Sequence, residues 1–281
     1  MLTRGNFRAP VIRSLLIIMV IIIIAIPQLN CQNSQSQSKT ELEQLLIATL
    51  WFQTSAEARA CYYQAFRYAK EKLDEIVESK EHAQNLAVIV DLDETVLDNS
   101  PYFAELIKRD IMYPHLWNEW VNLSNAKATP GAREFLHYAA HQKNINIFYI
   151  TNRSEKSRHE TLKNLQRLQF PHATDEHLLM KIKDSDKELR RQIVENDYEV
   201  VMLLGDNLND FSSVFRNKSA ERRCALVDSL QDQFGQEYMI LPNPIYGDWL
   251  DSIFNFINNM SPDEKYQKMI RALKSFDQTN N

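Results

Sequence analysis

Three short apolar runs in this chain each stop at a polar segment rich in carboxylates or hydrogen-bonding groups. Leu86–Val90 stops at Asp91-Leu92-Asp93-Glu94-Thr95, and Ile145–Ile150 stops at Thr151-Asn152-Arg153. Val200–Leu204 stops at Gly205-Asp206-Asn207-Leu208-Asn209-Asp210. Runs of this length, rich in β-branched residues, read as strands buried on both faces. Cys224–Val227 and Tyr238–Leu241 are read as two further short strands. Helical patterns separate the first three runs, over residues 131–142, 155–168 and 187–196. Alternation of this kind predicts an α/β fold, with a parallel sheet between two helical layers.

Two more helices precede the first strand. Thr40-x-x-Glu43 has the form of a capping box and opens one through about Gln53. Ser55 caps a second through about Glu78, with Cys61, Phe66, Leu73 and Ile76 on one face. Ser261-Pro262-Asp263-Glu264 starts a last helix to about Phe276. The expected organisation is an accessory helical region at 41–82, a core with inserted cap segments at 83–260, and a C-terminal helix and tail at 261–281.

Residues 1–31 read as an export signal. Arg4, Arg8 and Arg13 precede an unbroken apolar run from Leu15 to Ile26, and Pro27 ends it. Its 12 residues make a helix about 18 Å long, short of the ~30 Å hydrocarbon core of a bilayer. Cys31 then stands before a polar tether at residues 32–40, as an acylated lipoprotein cysteine would. Gln28 and Asn30 depart from the usual lipobox. Removing residues 1–31 subtracts three arginines and no acids, leaving 29 basic against 37 acidic residues, a net of −8. Such a surface argues against a nucleic-acid polymer as partner. Cys61 and Cys224 remain, open to a disulfide or to two buried thiols. Only 5 glycines are present, which argues against a glycine-rich phosphate loop.

In an open α/β sheet ligands bind beyond the carboxyl ends of the strands. There the three polar segments would gather Asp91, Asp93, Thr151, Asp206 and Asp210 into one crevice. Four unpaired carboxylates repel one another strongly unless a cation joins them. An all-oxygen donor set of this size favours Mg²⁺. A calcium loop of the EF-hand type is excluded, because Val96 stands where that loop needs glycine. Taken singly, each aspartate is as well read as a turn or cap residue; the ordered conjunction carries the signal. The 7 histidines form no H-x-x-H pattern, so neither zinc nor haem is assigned.

D-x-D-x-T after a strand, then a strand-ending threonine, a lysine and G-D-x-x-x-D resemble the haloacid dehalogenase (HAD) superfamily. "VIVDLDETVLDNSPY", "FYITNR", "LLGDNLNDF", "WNEW" and "LPNPIYGDW" are similar to the class C acid phosphatases, bacterial outer-membrane lipoprotein 5′-nucleotidases. The resemblance runs from about Leu42 to Trp249. It implies a three-layer HAD-like domain with Asp91 as nucleophile, Asp93 as general acid and base, and Thr151 as a phosphoryl contact. Mg²⁺ would be held by Asp91, Asp93, Asp206 and Asp210. Lys181, Lys183 and Lys187 compete for the role of the phosphoryl-binding cation, and "KDSDKELRR" favours Lys187. Asn99, Tyr102, Trp117, Trp120, Arg153 and Tyr246 would line the substrate pocket, with core packing or loop salt bridges as the plainer roles. Thr95 would steady the turn, while Glu94 and Asp98 have no assigned role. The implied activity is Mg²⁺-dependent hydrolysis of 5′-nucleotides or similar small phosphomonoesters. The implied setting is the outer membrane or periplasm, with a lipid anchor on Cys31 and a homodimeric state. A HAD-fold surface binding lipoprotein and a sugar-phosphate phosphatase stay open beside it.

Overall fold

A computed structural model describes residues 42–80, 85–257 and 259–276 of the chain. The export signal, the Cys31 anchor and the tether lie outside these residues, as does Thr40 of the expected capping box. Among the described residues no helix is long and apolar enough to cross a membrane.

Helix α1 (42–54) leads into α2 (Ala56–Ser79), which Ser55 caps by accepting from the Ala58 N–H. The sheet has the order β5-β4-β1-β6-β7, all parallel. Its strands are β1 (Leu86–Val90), β4 (Asn146–Ser154), β5 (Leu178–Lys181), β6 (Glu199–Gly205) and β7 (Tyr238–Ile240). A short antiparallel pair, β2 (Leu97–Asp98) and β3 (Lys127–Ala128), closes the segment after β1.

Alternate residues of the sheet feed two cores, as a period-2 pleat requires. Val88, Val90, Ile147, Tyr149, Met202 and Leu204 pack on one face against Leu73 of α2 and Phe135 and Leu136 of α5 (Ala132–His137). Ala87, Ile89, Phe148, Ile150 and Leu203 pack on the other, against Val194 of α7 (Glu188–Glu195) and against Phe211. Each of the larger of these side chains contributes about 1.5–3 kcal/mol by leaving water, which fixes the register of the strands. The central strand β1 therefore delivers Asp91 to the middle of the carboxyl edge, between the ends of β4 and β6.

The chain crosses that edge through two short helices, α3 (Ser100–Arg109) and α4 (Trp117–Asn122). The remaining helices are α6 (Arg158–Arg167), α8 (Ala220–Ser229), α9 (Asp248–Ile253) and α10 (Pro262–Ala272). α10 starts at the expected place, where Ser261 and Glu264 form a capping box, and it stops before the expected Phe276.

Two expectations are corrected. Cys224–Val227 is not a strand but lies within α8, which Ser219 caps through the Arg222 N–H. The fifth strand is instead the edge strand β5, whose leucines and methionine alternate between buried and half-buried positions. Cys61 and Cys224 are neither paired nor buried; both are free and exposed. Strand β4 also runs past Ile150 to Ser154, with a register irregularity where Thr151 to Arg153 leave the ladder.

Candidate active site

Asp91 follows the last β1 residue and donates its N–H to Leu204 O of β6 at 2.9 Å. The turn beyond it is tight: Val96 and Leu97 N–H groups both bond Leu92 O, at 3.0 and 2.8 Å. That turn folds Thr95 back, so its Oγ1 donates to Asp91 Oδ2 at 3.1 Å and lies 3.4 Å from Asp206 Oδ1. Asp206 follows β6 and accepts from Asn243 Nδ2 at 2.7 Å. Asp210 sits on the one-turn helix beyond, with Oδ2 accepting the Asn207 N–H at 3.0 Å. Carboxylate oxygens of Asp91, Asp206 and Asp210 all lie within 4.8 Å of one another.

One ammonium answers these carboxylates. Lys187, at the N-cap of α7, is buried and bonds Asp91 Oδ1 while reaching Asp210 Oδ1 at 2.6 Å. Lys181 is half-buried on β5 and Lys183 is exposed, so Lys187 alone of the three candidates meets Asp91. Burial pushes the Asp91 carboxyl up; Lys187 pulls it down, Asp210 and Asp93 push it up again, and it settles at about 7. Burial, with Asp91 and Asp210 beside it, also holds Asp206 well above the usual carboxylate range. For Lys187, burial works against the charge, and the Asp210 and Asp91 carboxylates more than offset it, so the group stays above its ordinary value. Three converging carboxylates with one counter-ion leave an excess of buried negative charge. Their hard oxygen donors suit a divalent cation of the Mg²⁺ or Ca²⁺ type.

Asp93 points elsewhere. Its carboxylate accepts from Arg153 through Nε at 2.9 Å and NH2 at 2.7 Å, and from Asn99 Nδ2 at 2.8 Å. Asn99 Oδ1 in turn accepts from Trp120 Nε1 at 2.8 Å, and the Arg153 guanidinium lies 5.7 Å from the Trp117 ring centre. Four of the expected pocket residues thus form one network around Asp93. Trp117 packs edge-on to Tyr102, which is buried and donates to His115 O at 2.9 Å. Tyr246 meets this network through Glu94, which accepts from its hydroxyl and from the Asn99 N–H, and its ring lies 5.4 Å from that of Phe103.

Thr151 is buried beside Asp91's strand, its Oγ1 accepting the Arg153 N–H at 3.1 Å. Arg190 NH1 grips Thr151 O at 2.5 Å, and Arg191 NH1 grips Asp210 O at 3.0 Å. Both arginines follow Lys187 on α7, so one helix start holds all three strand-end segments. Their clustering in "KELRR" was the available signal for this. Asn243, the partner of Asp206, carried none beyond its place in "LPNPIYGDW". Asp98 accepts from the Ser100 N–H at 2.9 Å and so opens α3.

A carboxylate at the carboxyl edge of the central strand, answered by a lysine from the helix after β5 rather than by a glycine-rich loop, agrees with the resemblance to the HAD-type phosphotransferases. The chain belongs to the HAD superfamily, subfamily IIIB (acid phosphatase), whose family model matches residues 24–249. It is similar to the class C acid phosphatase of Bacillus anthracis, at 40% identity and a TM-score of 0.80, over 84% of this chain and 99% of that one. One structure of that enzyme has tungstate bound. The chain is accordingly a phosphomonoester hydrolase.

Proposed function

We propose that the enzyme is a Mg²⁺-dependent acid phosphatase that hydrolyses 5′-nucleotides or related small phosphomonoesters through an aspartyl-phosphate on Asp91. The observation that carries this reading is the placement of the Asp91 carboxylate, touched by Lys187 and Thr95 at the carboxyl edge of β1. Asp91 forms the bond to phosphorus as the ester oxygen leaves. Asp93, from the same turn, gives that oxygen a proton and later takes one from the water that splits the acyl phosphate. Arg153 and Asn99 aim the Asp93 carboxylate for both transfers. Lys187 and the Thr151 hydroxyl neutralise and orient the transferring oxygens, where charge spreads in the transition state. A divalent cation held by Asp91, Asp206, Asp210 and the Asp93 backbone would supply further charge neutralisation. The oxyanion tungstate carried by the Bacillus anthracis relative agrees with a site built for a tetrahedral anion.

The aromatic side chains Trp117, Trp120 and Tyr246, with Tyr102 behind them, favour a flat ring on the leaving group. Base stacking on such rings contributes about 1–3 kcal/mol. The reading extends to export through residues 1–31, acylation at Cys31, residence at the outer membrane or periplasm, and a homodimeric state. Residues 83–260 would be the catalytic core and 41–82 its helical accessory.

The test is Asp91→Asn with a panel of nucleotide and sugar monophosphates and added Mg²⁺. Turnover should fall on the order of 10⁴-fold or more. Wild-type rates in the variant would remove Asp91 as nucleophile, and equal rates across the panel would remove the preference for a ring. Palmitate labelling that survives Cys31→Ala would remove the anchor.

A further inference from the structure

Glu94 is the acid of the first motif that the proposed chemistry leaves unused. It is fully buried, yet its backbone is left-handed, at φ 59°. Such a conformation is uncommon for a residue other than glycine or asparagine, so something specific to this side chain must offset the cost. Both carboxylate oxygens are occupied. Oε1 accepts the Asn99 N–H at 3.0 Å, and Oε2 accepts the Tyr246 hydroxyl. Its backbone is fixed as well, with N–H on Leu97 O at 2.8 Å and C=O accepting from Tyr62 of α2. One residue thus joins the catalytic turn, the start of α3, the N-terminal helical layer and the loop after β7.

The two side-chain contacts lead to different parts of the chemistry. Asn99, whose backbone Glu94 holds, places its amide on Asp93 Oδ1 at 2.8 Å and accepts from Trp120 and Arg153. The amide therefore has one orientation, and it shares the aim of the Asp93 carboxylate with Arg153. Tyr246 lies 152 residues away in sequence, and its ring packs on Phe103 of α3, the helix whose N-cap is Asn99. We propose that Glu94 is a positioning residue that sets two things from its two oxygens: the aim of Asp93, through Asn99, and the ring of Tyr246 toward the leaving group. This rests on the proposed roles of Asp93 and Tyr246 in a phosphatase.

The two arms predict separable kinetics. Tyr246→Phe removes one arm, and KM for a nucleotide rises about 5-fold with kcat nearly unchanged, the scale of one lost hydrogen bond. Glu94→Ala removes both, so KM rises by a similar factor and kcat falls about 10-fold or more. Adding Tyr246→Phe to Glu94→Ala raises KM no further, since the hydroxyl has already lost its partner. Glu94→Gln keeps an acceptor for Asn99 and a donor for Tyr246, so both parameters stay within about 3-fold of wild type. The proposal is overturned if Glu94→Gln is as damaging as Glu94→Ala, or if the KM effects of Glu94→Ala and Tyr246→Phe multiply. Should Glu94→Ala not fold, Glu94→Gln and Tyr246→Phe decide alone: a damaging Gln or an unchanged KM in Phe overturns it. A wild-type enzyme inactive on every monoester sinks the phosphatase reading itself. An active wild type with an unaffected Glu94→Ala sinks this inference alone.

Discussion

The Lys187 ammonium lies 2.6 Å from the Asp210 carboxylate and also bonds Asp91, so a single buried cation serves two segments of the site. Removing it should separate stability from catalysis. In Lys187→Ala, Asp91 and Asp210 lose their shared partner, and the metal-free protein should lose about 3–5 kcal/mol, the usual cost of breaking a buried pair. Added Mg²⁺ should recover much of that stability, because a cation among the three carboxylates relieves the same repulsion. Activity should not recover: kcat should stay down about 10²–10³-fold, since the phosphoryl oxygens lack their preorganised counter-charge. Thermal melts with and without Mg²⁺, run beside kinetics on the same samples, check both halves.

Arg153 makes a forked contact to Asp93 and is itself almost fully buried, with 1% of its side chain exposed. Its loss would free Asp93 to rotate, so proton delivery to the leaving oxygen should suffer most. Arg153→Ala should lower kcat on alkyl esters by about 10²-fold, the contribution of a placed general acid. Esters of acidic phenols leave without protonation and should lose only about 3-fold. Arg153→Lys should fall short of rescue, because a point charge cannot make the fork. A leaving-group series on the three proteins gives the answer, and equal losses along the series would contradict the role of Asp93.

The buried acids also set a pH dependence of stability. Asp91, with an ordinary value of 3.8, is raised to about 7 in the fold by burial, the pull of Lys187 notwithstanding. A raised acid favours its protonated form on folding. The stability it contributes is complete below about pH 4 and is lost as pH rises toward 7. Asp206 and Glu94, raised chiefly by burial, act in the same direction. The metal-free protein should therefore show a falling Tm between pH 5 and pH 8, amounting to a few kcal/mol by linkage. Asp91→Asn should flatten part of that slope. Mg²⁺ should raise the Tm more at pH 8 than at pH 5. Calorimetry in chelator and in Mg²⁺ at several pH values provides the measurement.

Much of this site could be read from sequence because parallel strands buried on both faces appear as continuous apolar runs. The residue that ends each run is then a residue at the carboxyl edge. Asp91, Thr151 and Asp206 were placed by that logic, and Lys187 by the resemblance of "KDSDKELRR" to the lysine segment of the family. Where the rule has less purchase it misled. Cys224–Val227 is apolar and four residues long, too short to separate a strand from a helical turn. The strand that was missed, Leu178–Lys181, sits at the sheet edge and lacks β-branched residues. The role of Glu94 was illegible for another reason: Tyr62 and Tyr246 come from distant segments, and no local spacing encodes their meeting. Arg153 was read as a pocket residue or a loop salt bridge; its partner proves to be Asp93, 60 residues away.

Gly205 gives the most local of the expected effects. A Cβ built there would lie 2.4 Å from Asp210 Oδ2 and 2.5 Å from Asp210 Cβ, closer than such atoms approach. The side chain that would have to yield is no loose end. Asp210 is held by the Asn207 N–H and by Lys187, and Arg191 holds its carbonyl. Gly205→Ala must therefore push Asp210 away from Asp91 and Asp206, while β6 itself, buried on both faces, keeps its register. The fold should lose about 1–3 kcal/mol, the usual cost of overpacking. The larger effect should be on the metal. With one of three carboxylates displaced, the Mg²⁺ concentration for half-maximal activity should rise about 10-fold or more, as when the groups that orient a metal site are removed. Activity at saturating Mg²⁺ should recover in part, which Asp210→Ala should not match because it removes the ligand and the Lys187 partner together. A Mg²⁺ titration of both variants distinguishes a displaced carboxylate from an absent one.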